Sequence, residues 1–253
     1  MPVLKRADAA IRYREHGSGY PVLLFAPGGM RSRMEMWHAP KEGPPRPWCD
    51  WTELLASRYR VIEMDQRNGS EESAGAIEAD HGWQTYAGDQ LALLDRLGIE
   101  RCHTLGGCIG ASYCLNMIKS APERTSAAVL QNPIGLHPEF PTYFFDSYVE
   151  WAEEQKAARP DLKDAALKSF GKRMWDGDFV FAVSRDFVKR CETPCLVLPG
   201  NDKPHPAIIG QEVADLLPKR DVLKDWKGPD HLDAQRRTVL AFLEQYTPAK
   251  ARK

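Results

Sequence analysis

The sequence predicts an α/β fold in which a mostly parallel sheet is covered by helices on both faces. Short apolar runs that end at polar residues or glycine alternate with longer helical patterns, and this alternation breaks only once. A chain of 253 residues with a hydrophobic fraction of 43% can bury one large core. Because strands that alternate with helices form parallel sheets, we expect one core domain with an insertion.

Seven segments have the length and apolar character of strands. In chain order they are IRYRE, PVLLFA, YRVIEMD, RCHTLG, AAVLQN, PCLVLPG and RDVLKDW. Helical spacing is clear in WQTYAGDQLALLDRLG, which stops at Gly98, and in HLDAQRRTVLAFLEQY, which places Leu232, Val239, Leu240 and Leu243 on one face. The first of these helices separates two successive strands, as parallel pairing requires, and the second follows the last strand.

One stretch breaks the alternation, and a second stretch is irregular. Between Pro133 and Thr193 the chain carries aromatic-rich and charged helical patterns without a convincing strand. We predict a helical cap over residues 134–193, inserted in a core domain formed by residues 1–133 and 194–253. The stretch GGMRSRMEMWHAPKEGPPRPWCDW is too rich in proline for regular structure, and it directly follows a strand. It predicts a long loop near the carboxyl edge of the sheet, where open α/β folds bind ligands.

Composition excludes several classes of protein. The 34 Lys and Arg nearly balance the 35 Asp and Glu, so we expect neither nucleic acid nor a membrane surface as a partner. The first residues contain no apolar stretch of the length typical of a signal peptide, and no later run nears the roughly 18 apolar residues of a membrane span, so we expect a cytoplasmic protein. The six cysteines form no C-x2-C pair, which argues against a disulfide scaffold and against a zinc site.

The segment TLGGCIGASY places Cys108 between glycines, after an apolar run and before a helical pattern. Small residues on both sides permit a sharp strand-to-helix turn, and a helix N-terminus favours ionisation of the thiol. A dinucleotide-binding loop fits poorly, because the order is not G-x-G-x-x-G and the next strand ends in Gln131 and Asn132 rather than an acid. On this segment alone, Cys108 as a small buried hydrophobe stays open.

A nucleophile in such a turn requires a base and an orienting acid, in the order nucleophile, acid, base. Asp202 follows an apolar strand, and His231 lies in a glycine-containing turn before the last helix. The interval between them accommodates one helix and one strand. The alternatives are that His231 only caps the last helix, and that Asp202 only forms a turn while Asp230 or another acid orients the histidine.

Five segments in order then carry a resemblance. They are HGSG with PVLLFAPGG, VIEMDQRNGSEES, GGCIG, GNDKPHP and GPDH, and with them the sequence resembles the α/β-hydrolase fold family over nearly its whole length. Most members have serine where this chain has Cys108; cysteine there resembles dienelactone hydrolases and the G-x-C-x-G box of polyhydroxyalkanoate synthases. The length argues against a complete synthase. APGGM replaces the His-Gly-x of many relatives.

The resemblance implies a cofactor-independent hydrolase of small-molecule esters, lactones, thioesters or activated amides. Cys108 would form an acyl-cysteine with His231 as base and Asp202 as orienting acid. The backbone N–H groups of Gly29 and Ile109 would form the oxyanion hole. An acyltransferase and a non-catalytic ligand-binding protein remain alternatives. The expected partner is a small-molecule substrate, and a homodimer stays open.

Substrate contacts are expected from the loops at the pocket mouth and from the cap. Candidates in the loops are Trp37 and His38, and the cap offers Phe144 and Tyr148 as a roof over an apolar pocket. Trp48 and His205 lie in loops of the same kind. For each of these residues, packing or exposure to solvent is the alternative to substrate contact.

Overall fold

An eight-stranded sheet forms the centre of the computed structural model, which describes residues 1–39, 42 and 45–251. Its spatial order is β1-β2-β4-β3-β5-β6-β7-β8; β1 and β2 run antiparallel to their neighbours, and the other pairs are parallel. The predicted fold class is confirmed. The strands are β1 (Val3–Lys5), β2 (Ala10–His16), β3 (Pro21–Phe25), β4 (Arg60–Met64), β5 (Cys102–Gly107), β6 (Thr125–Gln131), β7 (Cys195–Leu198) and β8 (Arg220–Val222).

Helices connect most of the strands. They are α1 (Trp51–Ala56), α2 (Trp83–Arg96), α3 (Ile109–Ser120), α4 (Tyr143–Ala158), α5 (Asp164–Trp175), α6 (Arg185–Lys189), α7 (Ala207–Leu216) and α8 (Leu232–Tyr246). Short 3-10 helices cover Gly29–Arg31, Met34–Trp37, Pro122–Arg124, Pro229–His231 and Ala249–Ala251. Within the described ranges, none of the helices combines the length and the apolarity that crossing a bilayer requires.

Side chains of the central strands alternate between two hydrophobic clusters. On β3, Leu23 and Phe25 pack with α2 and α3, whereas Val22 and Leu24 pack with α1 and α8 on the opposite face. Both faces of the sheet are therefore covered, which explains why the inner strands are continuously apolar in sequence. Each fully buried aliphatic or aromatic side chain contributes roughly 1.5–3 kcal/mol by leaving water.

The insertion between β6 and β7 contains α4, α5 and α6, and no strand interrupts residues 132–194. Its aromatic residues pack tightly: Phe144 stacks on Trp175 with ring centroids 5.6 Å apart. They belong to the same hydrophobic cluster as the α2 and α3 side of the sheet. The insertion thus shares a core with the sheet, and its description as a separate cap domain over 134–193 stays a prediction.

The candidate site lies at the carboxyl ends of the parallel strands. The chain leaves β3 at Pro27–Gly29, β5 at Cys108, β6 at Asn132 and β7 at the turn that contains Asp202. The long loop predicted after β3 is irregular apart from two 3-10 helices; its residues 40, 41, 43 and 44 lie outside the described residues.

Candidate active site

Cys108 occupies the sharp turn between β5 and α3. Its backbone has φ 58° and ψ −120°, a conformation that residues with a side chain rarely adopt. A Cβ atom added at Gly106 would lie 2.0 Å from the Gly110 carbonyl oxygen, and one added at Gly110 would lie 2.0 Å from the Phe25 carbonyl oxygen. The turn predicted from the glycines is therefore present, and the close approach of strand and helix requires them.

A cavity of about 290 Å³ opens over Cys108 at the carboxyl edge of the sheet. The loop after β3, the turn after β7 and helix α4 all contribute to its wall. The lining residues are Pro27, Gly28, Gly29, Met36, Arg46, Trp48, Gly107, Cys108, Gln131, Asn132, Tyr143, Phe144, Ser147, Pro204 and His205. The predicted long loop thus contributes to a pocket, and the first helix of the insertion lines its wall.

His205 is the histidine that shares this cavity with Cys108. Its Nδ1 lies 2.6 Å from Asp202 Oδ1, and only 13% of its side chain is exposed. The other ring nitrogen, Nε2, is buried and has no nitrogen or oxygen partner in the described part of the chain. Nε2 is therefore the nitrogen available to the Cys108 thiol.

The two groups change each other's proton affinity. Burial opposes ionisation of Cys108, but the charge of His205, a hydrogen bond to it, and the backbone N–H groups of Ile109 and Gly28 outweigh burial and lower the pKa of the thiol. Burial also opposes charging of His205, yet Cys108 and Asp202 raise the pKa of its imidazole to about 9. The site favours a thiolate beside an imidazolium.

Asp202 holds the imidazole from within the same turn. Two backbone hydrogen bonds join Asp202 and His205, of 3.0 Å and 3.3 Å, and form an isolated antiparallel bridge. Lys227 Nζ donates to the second carboxylate oxygen, Oδ2, at 2.7 Å. Although burial acts in the opposite direction, hydrogen bonds from His205 and Lys227 lower the pKa of the Asp202 carboxyl far below its usual range.

The structure does not bring His231 to this cluster. His231 ends the 3-10 helix Pro229–His231 and immediately precedes α8, as the sequence predicts. In the described ranges it does not line the Cys108 cavity, and its side chain forms no hydrogen bond or ion pair with Cys108 or Asp202. Its role as base stays a prediction that this geometry does not support.

Of the two predicted oxyanion groups, only the N–H of Ile109 is placed at the thiol, and the role of the pair stays a prediction. The backbone N–H of Ile109, the residue after Cys108, interacts with the sulfur, and so does that of Gly28. Gly29, which the resemblance suggested, is the next residue and lines the same cavity. Both glycines have positive φ angles, 120° at Gly28 and 60° at Gly29, so this loop adopts a conformation that suits glycine.

One of the four predicted substrate contacts lines the cavity. Phe144 does, together with its neighbours Tyr143 and Ser147. Trp37 instead packs beneath the turn, where a Cβ added at Gly107 would lie 3.0 Å from its ring. His38 lies between Asp50 and Arg14, at 2.7 Å from each, and Tyr148 donates its hydroxyl to the Leu167 carbonyl oxygen.

Sequence reasoning missed the pairing of His205 with Asp202. The available signal was their spacing, because a histidine three residues after an aspartate in a turn can meet its carboxylate. It also missed Lys227, whose contact with Asp202 depends on how the segment after β8 folds back. Neither Arg46 nor Asn132 carried a sequence signal for the pocket.

The remaining cysteines and potential metal ligands lie elsewhere. Cys108 is partly exposed, whereas the other five cysteines are buried. In the part of the chain that the structure describes, no three His, Cys, Asp or Glu side chains are grouped as metal ligands.

Comparisons with known proteins agree with this architecture. Residues 21–169 match the model of a family described as alpha/beta hydrolase fold. A putative non-heme bromoperoxidase of Mycobacterium tuberculosis is 28% identical over 240 residues, covering 82% of this chain and 86% of that protein. An enol-lactonase from Burkholderia xenovorans LB400 superposes with a TM-score of 0.67 at 18% identity, covering 96% of this chain and 99% of that one. A meta-cleavage product hydrolase from Pseudomonas fluorescens IP01 gives a TM-score of 0.67 at 16% identity, with 94% and 95% covered.

Proposed function

Since the chain belongs to the α/β-hydrolase fold family and is an enzyme of the α/β-hydrolase type, we propose that it hydrolyses small-molecule esters, lactones, thioesters or activated amides through an acyl-cysteine intermediate. The nucleophile in this proposal is Cys108, the base is His205 and the orienting acid is Asp202. His205 takes the role that the sequence suggested for His231, because His205 is the imidazole that lines the Cys108 cavity.

One observation carries the proposal: Cys108, at the strained turn, and His205 line the same cavity, where each shifts the pKa of the other toward its charged form. A thiolate is the nucleophilic form of cysteine, and an imidazolium is the acid that a leaving group requires. A cysteine that served only as packing would resemble Cys102 and Cys114, where burial raises the pKa to about 12.

The reaction is a two-step acyl transfer. The Cys108 thiolate adds to the substrate carbonyl carbon, and the tetrahedral intermediate collapses as the leaving oxygen, sulfur or nitrogen takes the proton from His205 Nε2. A water molecule then gives a proton to His205 and adds to the thioester carbonyl. Collapse of the second intermediate releases the acid and regenerates the thiolate beside imidazolium. Asp202 keeps Nδ1 protonated throughout, which leaves Nε2 free for proton transfer.

The oxyanion of each tetrahedral intermediate would accept hydrogen bonds from the backbone N–H groups of Ile109 and Gly28. These groups already point to the region of the sulfur, and the covalent geometry of the turn and the glycine loop fixes them before substrate binds. Loss of one such donor typically costs about 2.7–4 kcal/mol of transition-state stabilisation. In this proposal, the 28–29 loop contributes through its backbone geometry.

Trapping the intermediate tests the proposal. The protein would be mixed with p-nitrophenyl acetate and quenched, and the Cys108 peptide would be analysed by mass spectrometry. We expect a burst of p-nitrophenol, one acetyl group on Cys108, and neither in Cys108→Ala. An unmodified Cys108 peptide, or turnover that survives in Cys108→Ala, would overturn the mechanism.

Acyl transfer to another nucleophile is the second candidate. The apolar lining from Met36, Trp48 and Phe144 favours it, because apolar walls lower the local concentration of water at the thioester. Adding methanol or a small thiol to the p-nitrophenyl acetate assay distinguishes the two. A hydrolase yields mainly acetate, whereas a transferase yields mainly the acetyl ester or thioester of the acceptor.

A further inference from the structure

The Cys108 cavity carries an excess of positive charge. Its described lining contains no Asp or Glu, and its ionisable members are Arg46, Cys108, His205 and Tyr143. The Cys108 thiolate balances the His205 imidazolium, and Asp202 lies outside the lining with Lys227 on it. The charge of Arg46 is therefore left without a counterion inside a partly enclosed space, which attracts anions.

Arg46 is held in place without an acidic partner. Its guanidinium lies over the Trp48 ring, 5.5 Å from the centroid, and its Nε donates to the His38 carbonyl oxygen at 3.3 Å. His38 is in turn fixed by Asp50. The described residues include no carboxylate in an ion pair with Arg46. Its two terminal nitrogens remain available for bidentate binding of a carboxylate.

A second polar group in the cavity also lacks a partner. Asn132 follows β6 with φ 50°, and its N–H donates to the Leu198 carbonyl oxygen at 2.9 Å. The residue is 3% exposed, and its buried Oδ1 accepts no hydrogen bond in the described part of the chain. A buried acceptor without a donor is destabilising, and it indicates a ligand or water that supplies one.

Arg46 and Asn132 come from two separate segments of the chain that line the same cavity. Asn132 is buried next to the Cys108 turn. The carbonyl oxygen of the preceding residue, Gln131, accepts the backbone N–H of Cys108 at 2.9 Å. Arg46 comes from the loop after β3. The volume of about 290 Å³ is at the lower end of the range of small-molecule pockets, which limits the ligand to a short molecule.

Building on the proposed function, we propose that the substrate is a short acyl compound that carries a free carboxylate, which Arg46 binds, and a hydroxyl or N–H group, which donates to Asn132 Oδ1. The positive charge of Arg46 would bind the carboxylate, and the unpaired Oδ1 of Asn132 would accept the hydrogen bond from the donor group. Arg46 and Asn132 are then specificity-determining residues for a reaction that Cys108 and His205 carry out.

Alkylation tests the carboxylate site without relying on turnover. Iodoacetate and iodoacetamide react with a thiolate by the same displacement of iodide, and they differ in the carboxylate. We expect the ratio of their rates at Cys108, iodoacetate over iodoacetamide, to fall about tenfold in Arg46→Gln, the scale of one charge-assisted hydrogen bond. Arg33→Gln, a loop arginine outside the cavity lining, should keep the parental ratio. An unchanged ratio in Arg46→Gln overturns the site.

Paired esters extend the test to catalysis. Mono-p-nitrophenyl succinate carries the carboxylate that p-nitrophenyl butyrate lacks, and Arg46→Gln should lower kcat/KM about tenfold for the succinate only. Asn132→Ala should remove a preference for p-nitrophenyl 3-hydroxybutyrate over the butyrate. If the parent cleaves neither ester, the proposed function fails while the alkylation ratio still decides the site. If it cleaves all three alike and the variants change nothing, the substrate class is refuted; thermal melts confirm that the variants fold.

Discussion

Nδ1 of His205 lies 2.6 Å from Oδ1 of Asp202, and the two residues belong to a single turn after β7. The imidazole and its carboxylate are thus positioned as one unit by two backbone hydrogen bonds. A pair built in this way is oriented before substrate arrives, and it needs no second loop to complete it. This relationship makes the 200–205 turn, rather than the turn before α8, the place to test for the base.

Replacing each histidine separately distinguishes the two assignments. We expect His205→Ala to lower kcat/KM for p-nitrophenyl acetate by about 10²–10⁴-fold, because general acid–base catalysis contributes on that scale. His231→Ala should leave the rate within a few-fold of the parent, since His231 does not line the cavity. Steady-state kinetics on both variants measure this.

Each of the two histidine variants, His205→Ala and His231→Ala, serves as the control for the other. Both variants remove an imidazole from a loop near the carboxyl edge of the sheet, so a general effect of truncation would lower both rates alike. A large loss in His231→Ala with full activity in His205→Ala would restore the assignment made from sequence and refute ours.

The pH dependence of the reaction follows from the two pKa shifts. Because His205 and backbone N–H groups lower the pKa of Cys108, its alkylation by iodoacetamide should persist below the pH at which an ordinary thiol loses reactivity, near 8.5. Because the His205 pKa is raised to about 9, kcat/KM should fall as the pH rises through that value and the imidazolium loses its proton. Measuring the labelling rate of Cys108 and kcat/KM across pH 5–10 would test both expectations.

The labelling experiment has an internal reference. Burial raises the pKa of Cys102 and Cys114 to about 12, so these thiols should stay unlabelled in the folded protein. In His205→Ala the reactivity of Cys108 should shift to higher pH. Labelling of Cys108 that follows an ordinary thiol curve in the parent would contradict the ion pair.

Much of the fold could be predicted because it depends on local patterns. All seven predicted strands form, and in the inner strands alternate apolar residues face the two covered sides of the sheet. The edge strand β8 is exposed and forms by pairing with β7. Strand β1 was missed because Val3–Lys5 is too short to show a period. The turn at Cys108 could be predicted because steric limits on Gly106 and Gly110 leave few residue types possible.

The site could be predicted only in part, because contacts between distant segments decide it. Cys108 and Asp202 were found from their positions after strands, but both His205 and His231 satisfy the order nucleophile, acid, base. Choosing between them requires knowing which imidazole enters the cavity. The contact of Lys227 with Asp202 and the opening of Asn132 into the pocket likewise depend on tertiary packing that no periodicity encodes.

Lys227 is predicted to position Asp202. Its Nζ donates to Asp202 Oδ2 at 2.7 Å and to Asn201 Oδ1 at 2.9 Å. In Lys227→Met the pKa of the Asp202 carboxyl should rise, so the acid limb of the kcat/KM profile should move to higher pH with a modest loss of rate at neutral pH. Lys224→Met, a change at an exposed lysine nearby, should leave that limb in place. Coincident pH profiles for Lys227→Met and the parent would exclude this role.

Gly106 is predicted to be indispensable to the turn for steric reasons. A Cβ there would lie 2.0 Å from the Gly110 carbonyl oxygen, so Gly106→Ala must separate β5 from α3 and should lower the free energy of unfolding by about 1–3 kcal/mol. Gly88 in α2 offers the control, because a Cβ there would meet only the Arg6 side chain, at 3.4 Å. Gly88→Ala should raise stability by roughly 0.5–1 kcal/mol through helix propensity. Urea unfolding measures both changes, and parental stability and Cys108 reactivity in Gly106→Ala would show that the turn relaxes without cost.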